Sequence, residues 1–324
     1  MKVTSSVLVR FRRVRARRNL TRTGSVGYKE GMATAQPGIF SLGTSTHLHL
    51  EFDVSASDQV LAAIARLREA ATPIVGVNIV VGVAPRLWAQ LAPEQAPIDV
   101  VEFEPIVGSD GYTMPASQHG LWVWLHGGAT DGVFDLGRTA LAELATCATL
   151  AAEQWSFAYG ASQDLTGFED GTENPPVDEA MTVAVIPSAQ PCAGGSVALL
   201  QRWVHDLDGF AELEVAEQES VMGRTLHGSV ELDESIQLDS SHVSRVVVED
   251  DEGDELEVFR RSTPFGGVRE HGLMFVAFSA DQARLDRMLR RMAGAEDGVR
   301  DRLTEFSTPT AGAWYVVPPV ELLS

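Results

Sequence analysis

The chain has 324 residues, 44% of them hydrophobic and 22% charged, with a mean hydropathy of about zero; it can bury one large core or two ordinary ones, and no apolar run reaches the length of a membrane span. Its two cysteines, Cys147 and Cys192, have no paired spacing, which leaves too few ligands for a disulfide framework or a Cys-based zinc site and suits a reducing, cytoplasmic setting. The formal charge of −20 hides a split, because residues 1–31 carry nine Lys or Arg against Glu30, a local +8, and the remainder carries −28; a body that acidic repels phosphate backbones and argues against nucleic-acid binding.

Residues 1–31 contain the pair Arg12-Arg13 but no apolar segment after it, so they read as a basic, disordered extension or as sequence upstream of a start at Met32. From Thr46, THLHLEFDV alternates Leu48, Leu50 and Phe52 with polar residues, as a half-buried strand requires. Residues 58–70 put Val60, Leu61, Ile64 and Leu67 on one helical face, with Asp58 near the positive end of the helix dipole. GVNIVVGV (76–83) predicts a second strand. Residues 84–119 form an excursion, with a short helix around Leu87–Leu91 and a strand over IDVVEFEPIV (98–107). LWVWLHGG (121–128) resumes the main pattern as a strand, residues 131–152 predict a long helix, and EQWSFAYG (153–160) a further strand. Without the excursion the order is β-α-β-β-α-β.

The second half repeats that order: a strand over 194–206, helices through 208–224, strands ELEVFRRS (255–262) and HGLMFVAFS (271–279), a helix over 281–293 and the strand AGAWYVVP (311–318). The expectation is an α+β protein of two ferredoxin-like halves, residues 32–165 and 166–324, each an antiparallel sheet with peripheral helices.

Between the halves lies GFEDGTENPP (167–176), where two glycines, two prolines and an Asn leave no room for a regular helix or strand. Aligned to a calcium loop, it puts Thr166, Phe168 and Val177 where oxygen ligands belong, so that reading fails. By itself such a loop is a solvent-facing turn. Downstream, SSHVSRV (240–246) holds the lone His242, and EVFRRSTPFG (257–266) ends a strand with Arg260, Arg261, Ser262 and Pro264. Alone, these are a structural histidine and a solvated strand edge. His47 and His49 share a strand face without a nearby carboxylate, short of a metal set. His205, which follows a strand, is the main rival to His242 as a metal ligand.

Taken together these segments resemble the dye-decolourising peroxidases, a haem enzyme family, and within it the short-chain bacterial (class B-like) subgroup, from about Met32 to the C-terminus. The family's GxxDG element is Gly167–Gly171, His242 follows Asp170 by 72 residues, and Arg260 follows His242 by 18. GRT (223–225), EHGL (270–273) and GVRDRL (298–303) also look like the family. The resemblance implies one haem b per chain with His242 as the axial iron ligand, an arrangement that leaves the opposite face open to peroxide. The other imidazole nitrogen is then expected to meet a carboxylate, either Asp301 or Glu305. On the open face Asp170 would move the peroxide proton and Arg260 would steady the departing oxygen. Ser262 stands where some relatives carry Asn and would orient a distal water or peroxide. Gly171, Thr172, Glu173 and Asn174 would border the haem edge, Arg260 would also reach a propionate, and Leu273 and Phe275 would wall the distal pocket.

The implied activity is reduction of hydrogen peroxide and oxidation of organic donors such as dyes and phenolics through a ferryl intermediate, with electrons from large donors passing through Trp155, Trp203, Trp314, Tyr159 or Tyr315. A homo-oligomer is expected, and the ending PPVELLS carries no evident nanocompartment-targeting tail. Two other classes stay open: a haem-binding or haem-handling protein with little peroxide turnover, and a dimeric ferredoxin-like binding module without haem. A Soret band separates the last from the others, and mixing with peroxide separates catalyst from carrier.

Overall fold

The computed structural model describes residues 33–160, 163–250, 252–253 and 255–324, and the basic extension expected over 1–31 lies outside the described residues. The alternating segment forms β1 (Thr46–Val54), whose Leu48, Leu50 and Phe52 pack beneath helices while His47, His49 and Glu51 are buried on the opposite face. Its neighbour in sequence, α1 (Val60–Ala71), buries Val60, Ala63, Ile64, Leu67 and Ala71, the stripe expected from the 3.6-residue period. Complete burial of Ile64 and Leu67 contributes roughly 1.5–3 kcal/mol each. Then come β2 (Val77–Val83) and α2 (Pro85–Leu91), which opens on a proline whose missing N–H costs a helix start nothing.

The strand expected over 98–107 shrinks to β3 (Ile106–Val107), paired only with β4 (Thr113–Met114) among the described residues. The reason is that the preceding backbone is satisfied by side chains. Gln282 brackets both main-chain groups of Val101 at 2.9 Å, and Gln118 accepts from the Phe103 amide at 3.2 Å. After β5 (Leu121–Gly127), α3 (Thr130–Leu144) ends eight residues before the expected 152. The Cys147 amide closes a turn on the Leu144 carbonyl, and the chain enters β6 (Ala148–Phe157), which pairs with β1 from Val54↔Ala148 onward.

The later elements are α4 (Val177–Ala184), β7 (Ser196–His205), α5 (Leu207–Ala211), α6 (Val215–Met222), α7 (His242–Val246), β8 (Phe259–Arg260), β9 (Thr263–Gly266), β10 (His271–Ser279), α8 (Gln282–Met292) and β11 (Ser307–Val317). The single strand expected over 255–262 is therefore a two-residue β8 followed by β9. Between them the Ser262 hydroxyl accepts from the Val276 amide at 3.4 Å, where a ladder carbonyl would otherwise stand.

Strand order is β6-β1-β5-β2 in the first half and β11-β7-β10-β9 in the second, the 4-1-3-2 arrangement of a ferredoxin-like sheet in both cases, and every pair is antiparallel. The two sheets also meet edge to edge, β2 with β11 at Val83↔Val316 and β6 with β9 at Ser156↔Phe265, so the strands close into a barrel that leaves neither sheet a long free edge. Its interior packs Val80, Trp122, Trp124, Leu200, Phe265, Met274, Phe278 and Tyr315. Gly82 is required there, because a Cβ would stand 2.7 Å from the Tyr315 Cβ. Helices lie outside: α1 and α3 cover the first sheet, and α8 covers the outward face of β7, β10 and β11 through Leu285, Met288, Leu289 and Met292.

Candidate active site

On the outer side of the second sheet, GFEDGTENPP is shaped by its turn residues. Gly167 and Gly171 take φ of 90° and 76°, the left-handed region open to glycine. Asp164 Oδ1 accepts from the Thr166 amide and hydroxyl at 2.8 and 2.5 Å, and the Asp164 amide donates to the Phe168 carbonyl at 3.0 Å. Phe168, 2% exposed, anchors the loop against Phe210 and Val221. The far end is tied down by Asn174, whose Nδ2 donates to the Arg260 carbonyl at 2.7 Å and whose Oδ1 accepts from the Arg260 amide at 2.8 Å. This side-chain amide thus behaves as a strand neighbour to β8 and holds the loop of Asp170 against the strand of Arg260 across 86 residues of sequence. Arg260 and Arg261 point to opposite faces. Arg261 enters the barrel, donates to the carbonyls of Ile39 and Ser41 at 2.5 and 2.8 Å and lies over Trp124.

His242 is the first residue of α7, after Ser241, whose hydroxyl accepts from the Ser244 amide. His242 Nδ1 lies 2.7 Å from Asp301 Oδ2. Asp301 is fully buried, and its other oxygen accepts from the Leu303 amide at 2.9 Å, so the carboxylate is held from both sides. Of the two carboxylates weighed for this position, Asp301 makes the bond and Glu305 is exposed on the following turn.

His242, Asp170 and Arg260 line one cavity enclosing about 1450 Å³ of empty space, part of it open to solvent. Its walls are largely apolar, with Leu273 and Phe275 from β10 facing Met288 and Leu289 from α8. Gly171, Thr172 and Glu173 are in the wall, and Glu173 is held at 2.8 Å by Arg224. Asn174 and Ser262 are not, because their polar atoms are turned to the main chain of Arg260 and Val276. The Arg260 guanidinium has no hydrogen-bond or ion-pair partner among the described residues.

Sequence reading named His205 only as a rival metal ligand and missed Asp164 and Gln201 in this wall. Asp164, six residues before Asp170, lies in it, and burial, with a smaller contribution from the Asp170 charge, pushes its carboxyl up to about 6. Gln201 Nε2 and His205 Nε2 are buried there without partners. The alternation of β7 sends 201, 203 and 205 to the same face, which is the one sign of Gln201 in the sequence. His205 shares the cavity with His242, but its Nδ1 meets the Ser307 hydroxyl at 2.9 Å rather than a carboxylate, and burial lowers it to about 4. His47 and His49 are buried inside the barrel, and no group of three or more His, Cys, Asp or Glu among the described residues could hold a metal ion. Of the aromatic residues considered as electron carriers, Trp203 is in the cavity wall, Trp314 and Tyr315 are buried, and Tyr159 is exposed.

A family profile described as Dyp-type peroxidase, C-terminal, matches residues 161–322. A dye-decolorizing peroxidase of Mycolicibacterium paratuberculosis is 32% identical over 251 residues, 76% of this chain and 71% of that protein. The structure of DyPB from Rhodococcus jostii superposes with a TM-score of 0.84 at 30% identity, covering 90% of this chain and 98% of that one. A variant of the same protein in complex with heme superposes at 0.83, with 30% identity over 87% and 96% of the two chains. With a barrel shared at that level and a profile match spanning the loop, the histidine and the arginine that build the cavity, the chain belongs to the Dyp-type peroxidase family.

Proposed function

We propose that this peroxidase would hold one haem b per chain in the cavity walled by His242, Asp170 and Arg260, with His242 Nε2 the group that would bind its iron. The cavity suits such a group: it is wide, its walls are apolar, it presents one imidazole whose Nδ1 is held by a buried carboxylate, and it has Arg224 and Arg260 in its wall for carboxylate side groups. When bound, the haem supplies a redox-active iron that takes up the oxidising equivalents of hydrogen peroxide and passes them to organic donors such as dyes and phenolics.

The chain's own residues supply the rest. Asp301 fixes the tautomer and orientation of His242 and makes its free nitrogen the more basic donor. Asp170 accepts the proton from the near oxygen of peroxide and returns it to the far one as the O–O bond breaks. Arg260, its guanidinium uncommitted, stabilises the negative charge that develops on the departing oxygen in a cavity that Leu273 and Phe275 line with apolar surface. Asn174 holds Asp170 and Arg260 in one frame through the main chain. Gly171, Thr172 and Glu173 border the edge of the cofactor, and Ser262 acts through the strand rather than on peroxide.

The observation that carries this reading is the convergence of His242–Asp301, Asp170 and Arg260 on one apolar cavity. We place the cofactor site in residues 166–324, with Asp164 completing its wall and 32–165 as the partner half, and assign the chain to the cytoplasm as a homo-oligomer. Buried, unpaired Cys147 and Cys192 support the compartment, and no helix among the described residues is long and apolar enough to cross a membrane. The test is His242→Ala. It is expected to lose or loosen the haem, seen as loss of the Soret band; a normal band with normal peroxide response would overturn the assignment. A wild-type protein whose haem is merely bleached by peroxide would point to haem handling instead.

A further inference from the structure

The barrel interior holds a group of rings that the peroxide site does not use. Tyr315 stacks on Trp122 with centroids 5.7 Å apart, Trp122 on Trp124 at 6.0 Å, and Trp124 on His126 at 4.2 Å. Tyr315 is fully buried and donates its phenolic hydrogen to Glu51 Oε2 at 2.6 Å. Glu51 is itself buried, yet it also lines a second cavity, of about 870 Å³ and partly open to solvent, together with His49, His119 and Arg202. A phenol with a carboxylate on its hydroxyl, stacked on an indole and beside a polar cavity, has what one-electron oxidation of tyrosine needs: an acceptor for the proton at hydrogen-bond distance.

Strand β11 links the array to the cofactor cavity. Trp203 is in that cavity's wall, Trp314 packs in the same cluster as Trp203, and Tyr315 is the next residue of β11, turned to the inner face. We propose that Tyr315 and Glu51 form a buried redox site that takes one oxidising equivalent from the cofactor and holds it inside the barrel. Tyr315 loses one electron, which reduces the oxidised cofactor by one equivalent; its O–H bond breaks, a carboxyl O–H forms on Glu51, and an oxygen-centred tyrosyl radical remains. The proposal rests on the peroxidase reading, which supplies the oxidant. Burial raises the proton affinity of Glu51, which favours it as the acceptor, and burial together with the Glu51 charge keeps Tyr315 from ionising by itself. Since Tyr315 has no exposed surface, the site stores or relays the equivalent and does not touch a bulky donor.

The test is freeze-quench electron paramagnetic resonance of the ferric holoprotein mixed with one equivalent of hydrogen peroxide, with the Soret response followed in parallel. A tyrosyl signal that narrows with ring-deuterated tyrosine is expected in the wild type. It should be lost in Tyr315→Phe and reduced severalfold in Glu51→Gln, which keeps an acceptor oxygen but cannot take the proton, while the Soret response persists in both. Glu51→Gln decides the matter if Tyr315→Phe does not fold. An undiminished signal in the folded variants overturns the redox site and leaves the peroxidase reading standing. A wild-type protein with no Soret response overturns both.

Discussion

Replacing Asp301 with Asn preserves the size of the group beside His242 and removes its charge. The contact is 2.7 Å long, Asp301 has no exposed surface, and the Leu303 amide holds its second oxygen at 2.9 Å, so neither water nor rotation relieves the change. A charge-assisted hydrogen bond of this kind contributes roughly 1.5–3 kcal/mol. With haem bound, that interaction favours the oxidised iron, because the carboxylate makes the imidazole a stronger donor. If the whole of it distinguishes the two oxidation states, its loss raises the Fe(III)/Fe(II) potential by roughly 60–130 mV, taking about 1.4 kcal/mol per 59 mV for one electron. Spectroelectrochemical titration of wild type, Asp301→Asn and Glu305→Gln measures this directly. Glu305 is exposed, and its replacement should leave the potential where it is. A potential in Asp301→Asn equal to wild type, or the same shift in both variants, would refute the reasoning.

Arg260→Leu should keep the Soret band and slow the peroxide reaction by ~10²–10³, as loss of a fixed donor to a developing oxyanion does; stopped-flow mixing reads both. Asn174→Ala leaves the amide and carbonyl of Arg260 unpaired, at about 1–3 kcal/mol for each group that stays buried. It should lower the melting temperature and slow the peroxide reaction together, and Asn174→Asp, which retains only the acceptor, should fall between. Stability of the haem-free protein should drop steeply on acidification. Burial lowers His47 and His205 to about 4, His126 to about 3 and His49 well below its usual range. Their contribution is complete above pH 6.5, declines below it, and is gone only once pH has fallen through the folded values, about 4 for His47 and His205 and about 3 for His126. Asp164, raised to about 6, works the other way, contributing below 3.8 and losing its effect as pH rises through 6. Burial raises Glu51 as well, so near pH 5 unfolding takes up about two to three protons net, or roughly 3–4 kcal/mol per pH unit. Urea titrations at pH 7, 6 and 5 check the slope, and equal stabilities would contradict it.

Much of this was readable before any coordinates. The alternation of THLHLEFDV and the helical stripe of residues 60–71 are local periodicities, and each became the element it predicted, although the expected half-buried strand is buried on both faces because its polar side is enclosed in the barrel. The family resemblance, carried by the distances from Asp170 to His242 and Arg260, marked three unremarkable residues as one set, and all three line the same cavity. The failures are equally physical. Residues 98–105 have strand composition, but their backbone partners are the side chains of Gln282 and Gln118, which no local pattern announces. Asn174 has the composition of a ligand-facing loop, and its amide spends both hydrogen bonds on a strand 86 residues away.

The sequence by itself determined the element order and the antiparallel α+β class, since those depend on side-chain type and short-range period, and through its family resemblance it singled out Asp170, His242 and Arg260 as candidates. Tertiary structure alone decided that the two sheets close into one barrel, because each seam is registered by a single residue pair, Val83↔Val316 or Ser156↔Phe265, between segments far apart in the chain. It also decided between Asp301 and Glu305. Both are carboxylates on one short turn, and the choice falls to Asp301 because it caps that turn from the buried side, where its second oxygen meets His242.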